Sequence, residues 1–479
     1  MRARLIAFWD DVRSSYWFIP TLMAIGAVVL SFVATDADAR VGDGWIGEIS
    51  WLYANKPDGA RTLLSTVAGS MIGVAGVTFS ITIASVVYAS GQYGPRLLAN
   101  FMRDRGNQVT LGTFIATFLY CILVLRTIRA ADEPTDGAEA LVGAFVPHIA
   151  ILLGLALAVA SIAVLIFFIH HIPDSILVSN VIAGIGHQLV DRIAVLFPEP
   201  IGTPGPVGRM DAAEPTPEYG PTAEITVADV PDGFLDRAVR VVADGTGYLE
   251  SVDTEAIFQA AVDEDLLIRL RYRPGDFVTE GEALALVWPP DADDDIAATI
   301  RRSFVWGRSR TQFQDNRFLV NELVEIAARA LSPGVNDPFT AITCLDWLGA
   351  ALKRTAGRDF PSESRHDDDG ALRLVALPST YADLIELAFG QLRPYLAGDR
   401  NATLHALKVL GEVAGATEGA RARDALRDEA AALLAAAVDT LNEGDAVLVR
   451  ERHRIVAGVL ADRDYEATSA EVQWLGGSA

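Results

Sequence analysis

Between Arg61 and Arg96 no side chain is ionised at neutral pH, so TLLSTVAGSMIGVAGVTFSITIASVVYASGQYGPR can enter a bilayer, and there it must be a helix to satisfy its own backbone. Small or hydroxylated residues recur along it at steps of three or four. Ser65, Gly69, Gly73, Gly76 and Ser80 form one stripe, and Thr78, Thr82 and Ser85 another. That spacing lays each set along one side of a helix, and such sides suit other helices or water as well as lipid.

Three further apolar runs have the same character. With Tyr16 to Thr35, Thr62 to Ser90, Val109 to Thr127 and Ala144 to Ile169, the chain holds four segments of at least the ~20 residues that a spanning helix needs. The second is long enough at ~1.5 Å per residue to exceed a hydrocarbon core of ~30 Å, so it should tilt or project. Ala37-Asp38-Ala39 loosely mimics a signal-peptide cleavage site, but the first run is too long for a signal and Asp10 and Asp11 precede it.

Charge sets the topology. Arg2, Arg4 and Arg13 precede the first run and Arg96, Arg103 and Arg105 separate the second from the third, whereas the third-to-fourth loop carries Asp132, Glu133, Asp136 and Glu139. Both termini are therefore expected in the cytoplasm. Arg40, Lys56 and Arg61 against five acids leave the first outer loop ambiguous, and Arg126 and Arg129 lie on the unexpected side. The formal net charge is −23. Almost all of it lies beyond Asn180, so the C-terminal part is an acidic soluble body; its field disfavours nucleic acid and anionic lipid and could concentrate cations. A plain solvated acidic surface is the blander reading of the same charge.

The organisation expected is a four-helix transmembrane domain over 1–180, a membrane-exit helix and Pro/Gly-rich linker over 181–222, a small β domain over 223–290 and a helical domain over 291–479. The exit helix could kink where Pro173 removes a donor. EITVADV, AVRVVAD, GYLESVD, LLIRLRY, DFVTEG and ALALVW read as short strands. Their Pro-Gly turn and Gly281 corner resemble the barrel-sandwich hybrid of biotinyl and lipoyl domains. No lysine lies between Lys56 and Lys353, so a carrier role is excluded and no cofactor is expected. After an acidic connector, Asp291 to Asp295, apolar residues at three- and four-residue spacing indicate a helical bundle. SRHDDDG around Asp367 reads as an exposed loop and the tail from Ser469 as frayed.

TFSITIAS, QYGPRLL, FIHHI, GYLESVD, RPGDFV and above all ALSPGVNDPFTA, Ala330 to Ala341, resemble the bacterial membrane family known as domain of unknown function 2254. The resemblance covers nearly the whole chain. It implies a multi-pass inner-membrane protein with a cytoplasmic C-terminal region, and it brings no catalytic residue with it.

The residues do not spell out an enzyme: no phosphate-binding Gly-Lys-Ser/Thr, His-Glu-x-x-His or Cys-x-x-Cys occurs. Cys121 and Cys344 give neither a disulfide framework nor metal spacing. His170 and His171 are adjacent and lie ~100° apart on a helix, so they do not share a face as i,i+4 ligands do; an interfacial position near the helix C-terminus explains them. His148, beside Pro147 at the outer end of the same run, is either a proton-responsive group or, more simply, another interfacial histidine. In SPGVNDPFTA, Asp337 before Pro338 fits an N-cap followed by an N1 proline, with Gly334 free to take a positive φ. The alternative is an anion site made by that helix start, with Asn336, Asp337, Arg301, Arg302, Arg308 and Arg310.

Two functions remain. The first is a homo-oligomeric channel for small ions, in which Thr78, Ser80, Thr82 and Ser85 line a water-filled path between copies, Gly69, Gly73 and Gly76 pack helices together, and Arg96 stands at the cytoplasmic mouth. The second is a non-conducting sensor or scaffold whose soluble part binds a ligand or a protein.

Overall fold

The computed structural model describes residue 12 and residues 15–41, 57–94, 104–130, 145–196, 203–204, 230–290 and 294–461, apart from single positions at 232, 316, 357, 359, 361, 378 and 418. The chain forms two compact units, Leu5–Asn180 and one built on Val181–Ala479.

The first unit holds α1 (Phe18–Val41), α2 (Pro57–Tyr93), α3 (Arg105–Leu125) and α4 (His148–Ile176), each long and apolar enough to cross a membrane. Their positions match the four apolar runs. At 37 residues, α2 would be ~55 Å long, well beyond the ~30 Å core. Helix α4 continues through Pro173 and ends only where Leu177 turns extended. Helix α3 packs against the other three, and alanines such as Ala27, Ala34, Ala60 and Ala68 among the larger Leu64, Tyr120 and Ile151 let the helices approach closely. At Gly112 even a methyl group would lie 2.6 Å from Met23 Sδ and 3.2 Å from the Pro20 Cα.

Several buried polar groups of this unit are tied to one another, as an apolar setting favours. Pro147 offers no side-chain cap to α4, and the buried Asp38 carboxylate of α1 supplies one by accepting the Ile149 and Ala150 amides at 2.8 and 2.9 Å. The Tyr120 hydroxyl donates to the Ala150 carbonyl at 2.9 Å, and Thr117 and Ser161 share a hydrogen bond of 3.0 Å.

In the second unit, α5 (Val178–Leu196) buries Ile182, Ile185, Leu189 and Ile193, one residue per turn on one face. Gly186 lies directly against the Trp347 indole, whose centroid is 4.5 Å from the His187 ring. The strands are β1 (Thr203–Pro204), β2 (Val239–Val242), β3 (Gly247–Val252), β4 (Leu267–Leu270), β5 (Phe277–Val278), β6 (Ala283–Trp288), β7 (Phe304–Gly307), β8 (Ser364–His366) and β9 (Leu372–Val375). They form a six-stranded sheet in the order β1-β8-β9-β4-β6-β2 and a three-stranded sheet β5-β3-β7. The pairing of β4 with β9 is parallel, with Ile268 opposite Leu374.

These sheets revise the expected small β domain. Residues 223–290 are not self-sufficient: β3 takes its longer partner, β7, from beyond them, and β4 takes β9. Helix α6 (Thr254–Asp263), capped by Asp253, interrupts the strands and buries Ile257, Phe258 and Ala261 in their core. Most of EITVADV, the tail from Ser469 and nearly all of the linker lie outside the described residues. The expected loop SRHDDDG contains β8, and only its second half is a turn, held by Asp367, whose carboxylate meets Arg373 at 2.6 Å. Guanidinium and amide donors hold that carboxyl below the usual carboxylate range.

Helix α7 (Asp294–Ser303) leads to β7. Beyond it, α8 (Phe318–Ala330), α9 (Pro338–Ala356), α10 (Arg400–Gly415), α11 (Ala420–Thr440) and α12 (Glu443–Leu460) make the expected bundle. Helices α9, α10 and α12 pack in series through Leu345, Leu348, Leu407, Leu410, Val449 and Val456, all buried.

Candidate functional site

Helix α2 has two unlike faces. Ala60, Leu64, Ala68, Ala75, Thr78, Thr82, Val86 and Ala89 are buried within the unit, whereas Ser65, Gly69, Gly73, Gly76 and Ser80 are exposed. At 3.6 residues per turn these faces are centred roughly 150° apart. No atom lies within 4 Å of where a Cβ would sit on Gly69, Gly73 or Gly76, so the glycines expected to pack helices together face open space. The threonines expected to line a path between copies are instead turned inward, with the Thr82 hydroxyl donating to the Thr78 carbonyl at 2.9 Å. Ser85 is half-buried. Residue type alone cannot separate the faces, because small residues suit a tight interior and a close external approach equally.

Hydroxyls on the outward face are satisfied within the helix. Ser65 donates to the Thr62 carbonyl, Thr66 to Thr62, Ser70 to Thr66 and Ser80 to Gly76, at 2.7 to 3.0 Å. The face therefore tolerates lipid, while its oxygens keep lone pairs free to accept. Arg96 lies outside the described residues.

Where α3 begins, residues from all four helical segments meet in a polar cluster. Asp104 caps α3, its Oδ1 accepting the Gly106 amide at 3.0 Å, and its Oδ2 lies 2.6 Å from His171 Nε2 of α4. His171 stacks on Phe167 with centroids 5.0 Å apart and sits so close over α3 that a Cβ on Gly106 would fall 2.5 Å from Nε2. The Tyr16 hydroxyl, just before α1, is hydrogen-bonded to Thr82 of α2 and lies within the field of Asp104. One turn into α3, Asn107 is 2% exposed, and neither its Oδ1 nor its Nδ2 has a hydrogen-bond partner. His170 is exposed, while His171 is hydrogen-bonded to Asp104, a partner that the adjacent pair of histidines gave no sign of in the sequence.

In the second unit, two members of the expected anion site, Arg310 and Asp337, are engaged within the protein. Arg310 is engaged by Asp315, with Nε 2.7 Å and Nη2 2.5 Å from Oδ2. Arg317 adds bonds to Asp276 at 2.7 Å and to the Pro274 carbonyl at 3.0 Å. Arg302 and Arg308 are exposed and Arg301 is half-buried. The start of α9 is filled by its own residue: Asp337 accepts the Thr340 amide at 3.2 Å and its hydroxyl at 2.6 Å. That fulfils the N-cap reading and leaves a carboxylate where an anion would go. Asn336, not Gly334, takes the positive φ, at 50°. Phe339 in this turn is 74% exposed. Cys344 is fully buried, and burial pushes its thiol up, which makes it unreactive.

Four apolar helices followed by a mixed α/β unit define a multi-pass membrane protein with a large non-membrane portion. The chain belongs to the family described as predicted membrane protein (DUF2254), whose model matches residues 13–412. An uncharacterized protein of Mycobacterium bovis and one of Mycobacterium tuberculosis are each 31% identical to it over 423 residues, covering 86% of this chain and 74% of theirs. No solved structure matches.

Proposed function

We propose that the protein is a homo-oligomeric ion channel of the bacterial inner membrane, with both termini in the cytoplasm and the soluble unit serving assembly or gating. The observation that carries this reading is the open, uncharged face of α2, from Ser65 through Gly69, Gly73 and Gly76 to Ser80, opposite the face buried in the subunit. Repeated around a symmetry axis, that face would bring backbone carbonyls and hydroxyl oxygens, with no charge, to the centre. The lining is thereby moved from Thr78 and Thr82 to the glycine stripe and Ser80. Small ions passing down such a path would meet no charged group, but oxygen lone pairs beside the exposed Ile72, Ile83 and Val87.

A non-conducting scaffold is the second reading, favoured by the outward hydroxyls that already bond within their own helix and so need no water. Reconstitution separates the two. The channel reading expects ion conductance from purified protein in vesicles, with disulfide cross-linking between copies through Gly73→Cys but not through Thr78→Cys. A protein that is monomeric in detergent and in vesicles, and silent across voltages and salts, overturns it.

A further inference from the structure

We propose that the polar cluster at the start of α3 is a binding site for internal water, held by the Asn107 amide and hydrating the Asp104–His171 pair. Asn107 is 2% exposed, and its carboxamide oxygen and nitrogen both lack a partner. A buried amide left unmatched carries the full desolvation penalty of its polar atoms. What this amide lacks is one acceptor and one donor at once. Water supplies both, whereas a cation would satisfy only the oxygen and an anion only the nitrogen.

The surroundings fit a small neutral ligand. Both Asp104 oxygens already take part in hydrogen bonds, with the Gly106 amide and with His171. Tyr16 and Thr82 are bonded to each other, and the Thr110 hydroxyl returns to the Gly106 carbonyl at 2.8 Å. Access is short: the Asp104 and His171 side chains keep 23% and 26% of their surface exposed, and Asn107, three residues along the same helix, is a neighbour of Asp104 at ~5–6 Å between Cβ atoms.

The test uses the full-length protein in lipid. A high-resolution map is expected to show ordered density within hydrogen-bond distance of both amide atoms of Asn107. Asn107→Leu, which removes the hydrogen-bonding groups at similar volume, is expected to lower the melting temperature by about 2–4 °C, and exchanging sodium or potassium for choline is expected to leave the wild-type value unchanged. Absence of density at the amide overturns the proposal, as does an Asn107→Leu protein that melts at or above wild type, the behaviour of a dry amide relieved of its desolvation. A melting temperature that rises specifically with sodium or potassium also overturns it, in favour of a cation site.

Discussion

Asp315 is the residue on which the second unit depends most sharply. Its side chain is 1% exposed between Arg310 and Arg317, and it faces Gly275, whose φ of +92° and contact with the carboxylate leave no place for a Cβ. Removing the carboxylate takes the acidic partner from Arg310 and leaves Arg317 only Asp276 and the Pro274 carbonyl, so Asp315→Ala should cost about 3–5 kcal/mol, read as a large drop in the denaturation midpoint of the second unit. Gly275→Ala should also destabilise, by strain and collision together. His453 gives a pH signature. Burial pulls its imidazole below the ordinary histidine range, so above ~6.5 it contributes nothing. As pH falls below that value the unfolded chain takes up a proton that the fold resists, and stability is lost until the lower, folded value is passed. His453→Gln should therefore flatten the decline of melting temperature between pH 7 and pH 5.

At the scale of the element, α2 makes two opposed predictions. Thr82→Leu enlarges a buried side chain that is 2% exposed and removes the partner of Tyr16, so it should destabilise the subunit by ~1–3 kcal/mol, measured as a lower melting temperature in detergent. Gly73→Leu meets open space and should leave that temperature unchanged while abolishing association between copies, seen by light scattering. The existence of the helix was plain from hydropathy, because thirty-odd residues without a charge admit few other structures. Its facing was not, since Gly, Ala, Ser and Thr carry no preference between a tight interior and an open exterior. Helix α6 was hidden for a related reason: its four switches between polar and apolar residues over ten positions lie among strand-like pieces of similar length, and only the Asp253 cap marks it. The Asp104–His171 contact spans 67 residues, a separation at which sequence spacing carries no information.

On the scale of the whole molecule, the boundary that composition suggested near residue 290 divides a single sheet. A fragment of residues 181–290 lacks β7 and β9, and the hydrogen-bonding edges of β3 and β4 would be bare. It should aggregate, whereas 181–461 should give a cooperative transition by circular dichroism; a folded, monomeric 181–290 would contradict the sheet order. The four apolar runs and the C-terminal bundle could be read from hydropathy and periodicity because each helix makes its backbone hydrogen bonds within itself. The sheet could not, for its centre is assembled from strands far apart along the chain. That same parallel pairing of Ile268 with Leu374 sets a timetable for synthesis. Emerging from the ribosome, β4 must wait about 100 residues, or roughly 5–20 s at bacterial elongation rates, before its neighbour exists, with one side of the nascent sheet available to any other strand nearby.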